Sequence, residues 1–226
     1  MKTVLLSHYI DNNSPYYLGT TKPSIKPNTQ IKKGDDYNTY DLSVGNHCGT
    51  HVDAPKHFIE TGKEISEYNI EELIFTQPFV LECPKGNDEL LNTKDLIDHD
   101  LDGYDCVLFR TGFGKYRDKD LNRYLTHNPG ISLETIQWIR ENYKDIRCIG
   151  IDSISISRYG DDENAKKTHL AAFNNNESYG KPLLLIEDMK LDTIPENSNL
   201  LDKMVIVPWN IKGIDSAPCT VIAALK

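Results

Sequence analysis

The chain has 226 residues, 38% of them hydrophobic and 26% charged, with a formal net charge of −9. That size fits one large domain, which would bury on the order of 70% of its unfolded surface without staples, and the composition excludes a disordered chain. The acidic balance argues against nucleic acid and membrane surfaces as partners, yet leaves a small-molecule substrate open, because a bound divalent ion can make one site locally positive.

The apolar stretch at Val4-Leu5-Leu6 reads as the start of a strand and is too short for a signal-peptide core. No apolar run approaches the ~20 residues of a membrane span. Residues 11–33 carry three prolines and several asparagines, the chemistry of a long irregular segment, with Tyr16 and Tyr17 as a lid, a substrate wall or part of an arm against a neighbouring subunit. Residues 37–44 read as a strand. Residues 66–75 have acidic and apolar residues at helical spacing. Residues 78–82 read as a strand, and Thr93 as a helix N-cap. Residues 105–111 and 147–152 are short apolar runs, the pattern of buried strands. Gly112 and Gly114 imply a tight loop after the first of them. Ser132 is a helix N-cap, with Glu134 near the positive helix end and Ile136, Trp138 and Ile139 as apolar positions. Residues 181–187, 204–209 and 220–225 complete the strands. Strands and helices mix without strict alternation, so the expected fold is a single α/β domain, residues 1–226, with a mixed β-sheet and packed helices. Neither nucleotide-phosphate fingerprint is present. Five cysteines, scattered and without a C-x-x-C pair, suit a reducing cytoplasm better than a disulfide framework.

The chemistry concentrates in His47-Cys48-Gly49-Thr50-His51-Val52-Asp53-Ala54-Pro55-Lys56-His57-Phe58. On a helix, Asp53 would be rotated by about 240° from His47, and Gly49 and Pro55 weaken a helix further. On an extended strand His47, His51 and Asp53 share parity and point to one side. Two imidazoles and a carboxylate on one face suit Zn²⁺, Mn²⁺ or Fe²⁺, with positions left open as a catalytic site requires. The competing explanation is a chance cluster on a surface strand. His57 keeps the parity, but Pro55 interrupts the strand, so three roles stay open: a fourth ligand, a proton carrier beside the metal, or a packed structural histidine. Cys48 has the opposite parity and should point away.

These residues resemble a family. The run His47-x-Gly49-Thr50-His51-x-Asp53-x-Pro55-x-His57-Phe58 is similar to the signature of the cyclase-like metal-dependent hydrolases, which include bacterial kynurenine formamidases and isatin hydrolases. Arg110-Thr111-Gly112, Pro129-Gly130-Ile131-Ser132, Ile149-Gly150-Ile151-Asp152-x-x-Ser155, Thr168-His169-Leu170, Ile186-Glu187 and the closing Lys212-Gly213…Ala217-Pro218 also match that family's pattern, over nearly the whole chain. The resemblance implies a swivelling β/β/α, cyclase-like fold. It implies one or two divalent ions per chain, Zn²⁺ first and Mn²⁺ second. His47, His51 and Asp53 would hold one ion, while Asp53, His169 and Glu187 would hold the other, and His57 would be the catalytic histidine. Without the resemblance His169 is a lone histidine and Glu187 an acid at a strand end.

Departures fall around the substrate. The family's aspartate before Ser7 is replaced by Leu5-Leu6, its tryptophan-bearing loop by Pro15-Tyr16-Tyr17-Leu18-Gly19, and the aspartate often found after "D-x-x-S-I" by Ser157. The expected reaction is hydrolysis of a C–N amide bond in a small molecule, of the arylformamidase type. A lactam-opening hydrolase is the alternative, Tyr16, Tyr17 and Phe58 stacking a planar ring. A non-catalytic metal- or ligand-binding protein is a second alternative, and a polyketide-type cyclase a remote one. Family members are usually dimers or tetramers, so a homodimer or homotetramer is expected.

Overall fold

The computed structural model describes residues 2–176, 178–195 and 200–226. In chain order the strands are β1 (Lys2–Leu5), β2 (Ser24–Pro27), β3 (Tyr40–Ser43), β4 (His51–Asp53), β5 (Ile74–Phe75), β6 (Pro78–Glu82), β7 (Leu90–Leu91), β8 (Cys106–Arg110), β9 (Gly130–Ile131), β10 (Cys148–Ile151), β11 (Leu184–Glu187), β12 (Leu201–Pro208) and β13 (Ser216–Leu225). The helices are α1 (Leu121–Thr126), α2 (Leu133–Asn142) and α3 (Asp162–Phe173). The chain thus forms the expected mixed α/β domain.

Among the described residues one nine-stranded sheet runs β5-β12-β13-β4-β11-β10-β8-β6, with β1 paired to β13. Strands β6, β8, β10 and β11 are parallel, and β4 switches direction, pairing antiparallel with both β11 and β13. The parallel strands are buried on both faces, which explains their unbroken apolar sequences. Val52, Ile186 and Ala217 lie side by side in register and face one core with Val80, Met204 and Val221. Leu185, Ile149 and Val107 face the other core, against Ile136 and Ile139 of α2 and Ala172 and Phe173 of α3.

Several expectations are corrected. Within residues 11–33, β2 forms and pairs with β3 as a two-stranded ribbon. Residues 66–75 make no α-helix. Two 3₁₀ turns, Ile65–Glu67 and Ile70–Leu73, lead into β5. Each is closed by a capping box, Glu64 with Glu67 and Asn69 with Glu72, so the acidic residues bond locally and do not line a longer helix. The helix at Thr93 is one 3₁₀ turn capped by Asn92. Ser132 caps α2 as expected, its Oγ accepting from the Thr135 amide at 3.2 Å.

The Pro129-Gly130 step has a steric cause. A Cβ on Gly130 would lie 2.6 Å from the Arg158 nitrogen and 3.0 Å from the Ile156 carbonyl oxygen, both backbone atoms. Gly130→Ala is therefore expected to destabilise the protein by about 1–3 kcal/mol, read from the midpoint of urea unfolding. An unchanged midpoint would show that the 156–158 segment gives way freely.

Candidate metal centre

Strand β4 is only three residues long, and this corrects the single-strand picture of the histidine run. Gly49 has φ +65° and turns the chain, so His47 sits in a turn before β4. His51 and Asp53 do share a face of β4. Glu187, the last residue of β11, lies directly opposite His51 in the register, and Ser216 of β13 lies opposite Asp53. The fold thus delivers two groups from one strand and a third from its neighbour.

The predicted residues converge. His47 Nδ1 is 3.2 Å from Asp53 Oδ1, and His51 Nε2 is 3.5 Å from the same oxygen. His51 Nε2 is also 3.3 Å from Glu187 Oε2, while His169 Nε2 is 3.8 Å from Glu187 Oε1. One donor atom from each of His47, His51 and Asp53 lies within 4.8 Å of the others, and the same holds for Asp53, His57 and His169. His169 comes from the buried side of α3, a helix absent from the sequence expectations. The apolar residues of α3 crowd into its last turn, so no helical stripe announces it.

Hydrogen bonds orient the rings. His51 Nδ1–H donates to the Gly49 carbonyl at 2.8 Å, and His169 Nδ1–H donates to the Ala165 carbonyl at 2.8 Å. A carbonyl only accepts, so each neutral ring turns the lone pair of Nε2 towards the carboxylates. Glu187 is held by the motif around Asp152, its Oε1 accepting from Ser155 Oγ at 2.9 Å and the Ile156 amide at 2.7 Å. His51 Nε2 and Asp53 Oδ1 are buried and make no hydrogen bond among the described residues. Acceptors facing acceptors in a buried site need a cation between them, so the donor set fits a divalent metal.

Electrostatics express the same demand for positive charge. Burial opposes charging of His47, but Asp53 and the hydrogen bond to Asp215 outweigh it and raise its pKa to about 10. Burial likewise opposes His51, and Asp53 and Glu187 shift it upward. Burial pushes Glu187 up, yet His169 and His51 hold it well below the usual carboxylate range. Cys48 is buried, with Sγ 3.6 Å from the Pro15 carbonyl, and burial pushes its thiol up to about 11; it takes no part in the cluster.

The structure adds Asp215, just before β13. Its Oδ2 is 3.1 Å from His47 Nε2 and 2.7 Å from His57 Nδ1. Burial alone would raise its carboxyl, and the two histidines hold it far below the ordinary range. The closing Gly213…Ala217-Pro218 match brackets this aspartate, the one trace of it in the sequence.

A cavity of about 340 Å³ opens on the cluster, walled by Tyr17, Phe58, Ile154, Asp162 and Lys166 together with the histidines. Tyr16 is not among its walls; it bridges to the Cys48 backbone. One face of the Phe58 ring is taken by His169, stacked at 4.5 Å between centroids.

Comparison with known proteins bears on the family and the fold. The family model Cyclase, described as "Putative cyclase", matches residues 4–158. The chain belongs to the cyclase family. Among curated relatives, a kynurenine formamidase of Bacillus cereus is 24% identical over 214 residues, covering 94% of this chain and 92% of the relative. An uncharacterised protein of Haemophilus influenzae is 32% identical over 130 residues, 54% of this chain and 88% of the relative. Isatin hydrolase A from Ralstonia solanacearum shares the fold with a TM-score of 0.79 at 18% identity, covering all of this chain and 92% of that one.

Proposed function

We propose that this cyclase-family chain is a metal-dependent hydrolase that cleaves a C–N amide bond in a small molecule, of the arylformamidase type. The observation that carries this reading is the pair of unsatisfied buried atoms, His51 Nε2 and Asp53 Oδ1, of which His51 lines a cavity of small-molecule size and Asp53 lies 3.5 Å behind it. His47, His51 and Asp53 would hold one divalent ion and Asp53, His169 and Glu187 a second, with Zn²⁺ the first choice for this donor set and Mn²⁺ the next. When bound, the metal supplies Lewis acidity, making water a nucleophile at neutral pH and polarising a carbonyl.

The chain's own residues do the rest. Tyr17 and Ile154 wall the cavity and exclude water beside the reacting group. His57 presents its imidazole between the cluster and the cavity and carries the proton to the leaving nitrogen. Opening of a planar lactam, as in the isatin hydrolases, is the second reading; the aromatic wall at Tyr17 and the shared fold favour it. The free, buried cysteines suit a reducing cytoplasm. Ile31, Tyr37, Tyr40 and Leu42, exposed on and around the β2–β3 ribbon, suit burial in a homodimer or homotetramer, which light scattering tests.

The decisive assay sets the metal-loaded protein against N-formylanilines, isatin-like lactams and simple esters. Turnover of the formanilides, lost on chelation, is the expected result. Bound metal without turnover of any of them would leave a binding protein. In the same assay His57→Gln should lower kcat by about 10²–10⁴-fold, the usual range for a general acid–base group, with metal content unchanged. Retained turnover would remove the proton-transfer role.

A further inference from the structure

The contacts of Asp215 go beyond those of a neighbouring charge. Its Oδ1 accepts from Asn46 Nδ2 at 2.8 Å, and the same amide donates to Ser216 Oγ at 2.7 Å, which fixes the plane of the carboxylate. Ser216 Oγ in turn lies 2.9 Å from His47 Nε2. The other oxygen, Oδ2, receives two imidazoles at once, His57 through Nδ1 and His47 through Nε2. An ionised carboxylate has no hydrogen to give. Both facing nitrogens therefore carry hydrogens, and in the neutral rings the lone pairs sit on the opposite nitrogens. For His47 that is Nδ1, the atom beside Asp53. For His57 it is Nε2.

We propose that Asp215 is a positioning residue that sets the tautomers of two imidazoles with one oxygen, turning the His47 Nδ1 lone pair towards Asp53 and leaving His57 Nε2 as the working nitrogen of the cavity. The inference rests on the hydrolase reading for the use made of His57, but not for the tautomers themselves. Without a partner an imidazole prefers its hydrogen on Nε2, which would leave His57 with a donor where an acceptor is needed. His57 thus takes a proton from the attacking water through Nε2 as its oxygen bonds to the carbonyl carbon, then gives the same proton to the leaving nitrogen as the C–N bond breaks, while Nδ1–H stays hydrogen-bonded to Asp215 throughout. The Pro55–His57 turn brings His57 within reach, and the antiparallel β4–β13 pairing brings Asp215 there from the far end of the chain. The arrangement couples metal retention to proton transfer, because His47 and His57 share one acceptor.

The test is a long-range ¹H–¹⁵N correlation spectrum of the seven histidines in the full-length, zinc-loaded protein, with the His57 signals assigned by their absence in His57→Gln. The wild type should show a protonated His57 Nδ1. In Asp215→Ala that proton should move to Nε2. In the same variant zinc affinity should weaken by about 10–100-fold, the range for loss of an outer partner of a metal ligand. At saturating zinc kcat should fall by about 10²-fold or more, with KM changed less than about threefold. A bare His57 Nδ1 in the wild type, or the same tautomer in both proteins, overturns the assignment; the wild-type spectrum suffices for the first of these. A protein that shows the tautomer change yet hydrolyses neither amides nor lactams keeps the Asp215 assignment and loses the hydrolase reading.

Discussion

Asp53→Asn should empty the metal centre and abolish turnover while leaving the sheet intact. Asp53 is the acceptor on which both ligand sets converge, 3.2 Å from His47 Nδ1 and 3.5 Å from His51 Nε2, and it is 1% exposed. Losing an outer partner of a ligand typically weakens metal binding 10–100-fold, so losing a charged ligand common to both sets should cost more than about 100-fold. The backbone of β4 is locked between β11 and β13, and Asn matches Asp in shape, so folding should survive. Stability reports the loss independently of activity. An ion at 100 times its Kd stabilises by about 2.7 kcal/mol, which in a domain of this size is worth about 5–11 °C in Tm. The wild type should gain that shift on zinc or manganese addition, and Asp53→Asn should gain almost none. Stoichiometric metal in the purified variant, or an undiminished thermal shift, would refute the assignment of Asp53.

How much of this was legible beforehand depends on distance along the chain. Parity placed His51 and Asp53 on one side of a strand, and that part holds because β4 spans both. Parity failed for His47, because the left-handed turn at Gly49 ends the extended backbone; His47 reaches the cluster by a turn. His169 was readable only through resemblance, since it sits on a helix whose polar first turns and apolar last turn hide its period. Asp188 was not readable in any local pattern, and Asp215 only as a residue bracketed by the closing Gly213…Ala217-Pro218 match. What makes them matter is register: β4 lies between β11 and β13, which sets Glu187 against His51 and brings Asp215 beside His57. Sheet order is decided by which apolar faces bury together, and no single segment carries that information. Parallel strands were easy to find for the opposite reason, since burial on both faces writes itself into each segment as an unbroken apolar run.

Arg117→Met is expected to be the most destabilising of these single changes, and it lies away from the cavity. Asp188 follows Glu187 immediately, is wholly buried and has φ +52°. Arg117 Nε donates to Asp188 Oδ1 at 2.8 Å and Nη2 donates to Oδ2 at 2.9 Å, and Tyr124 adds its hydroxyl at 2.5 Å. The Asp188 carbonyl accepts from Thr50 Oγ1 at 2.5 Å, and the Asp188 amide donates to the Ser153 carbonyl at 2.8 Å. The residue after one proposed ligand is thereby tied to the residue before another, His51. Removing the guanidinium leaves a buried carboxylate with one hydroxyl for company, a loss of about 3–5 kcal/mol. The cost comes from the stranded charge, so Arg117→Met combined with Asp188→Asn should recover part of it, and asparagine also tolerates the left-handed backbone. Urea unfolding of the single and double variants, with metal removed from every sample, separates this from any effect of ligand loss. A double variant less stable than Arg117→Met alone would mean that the guanidinium contributes by its packing and not by neutralising Asp188.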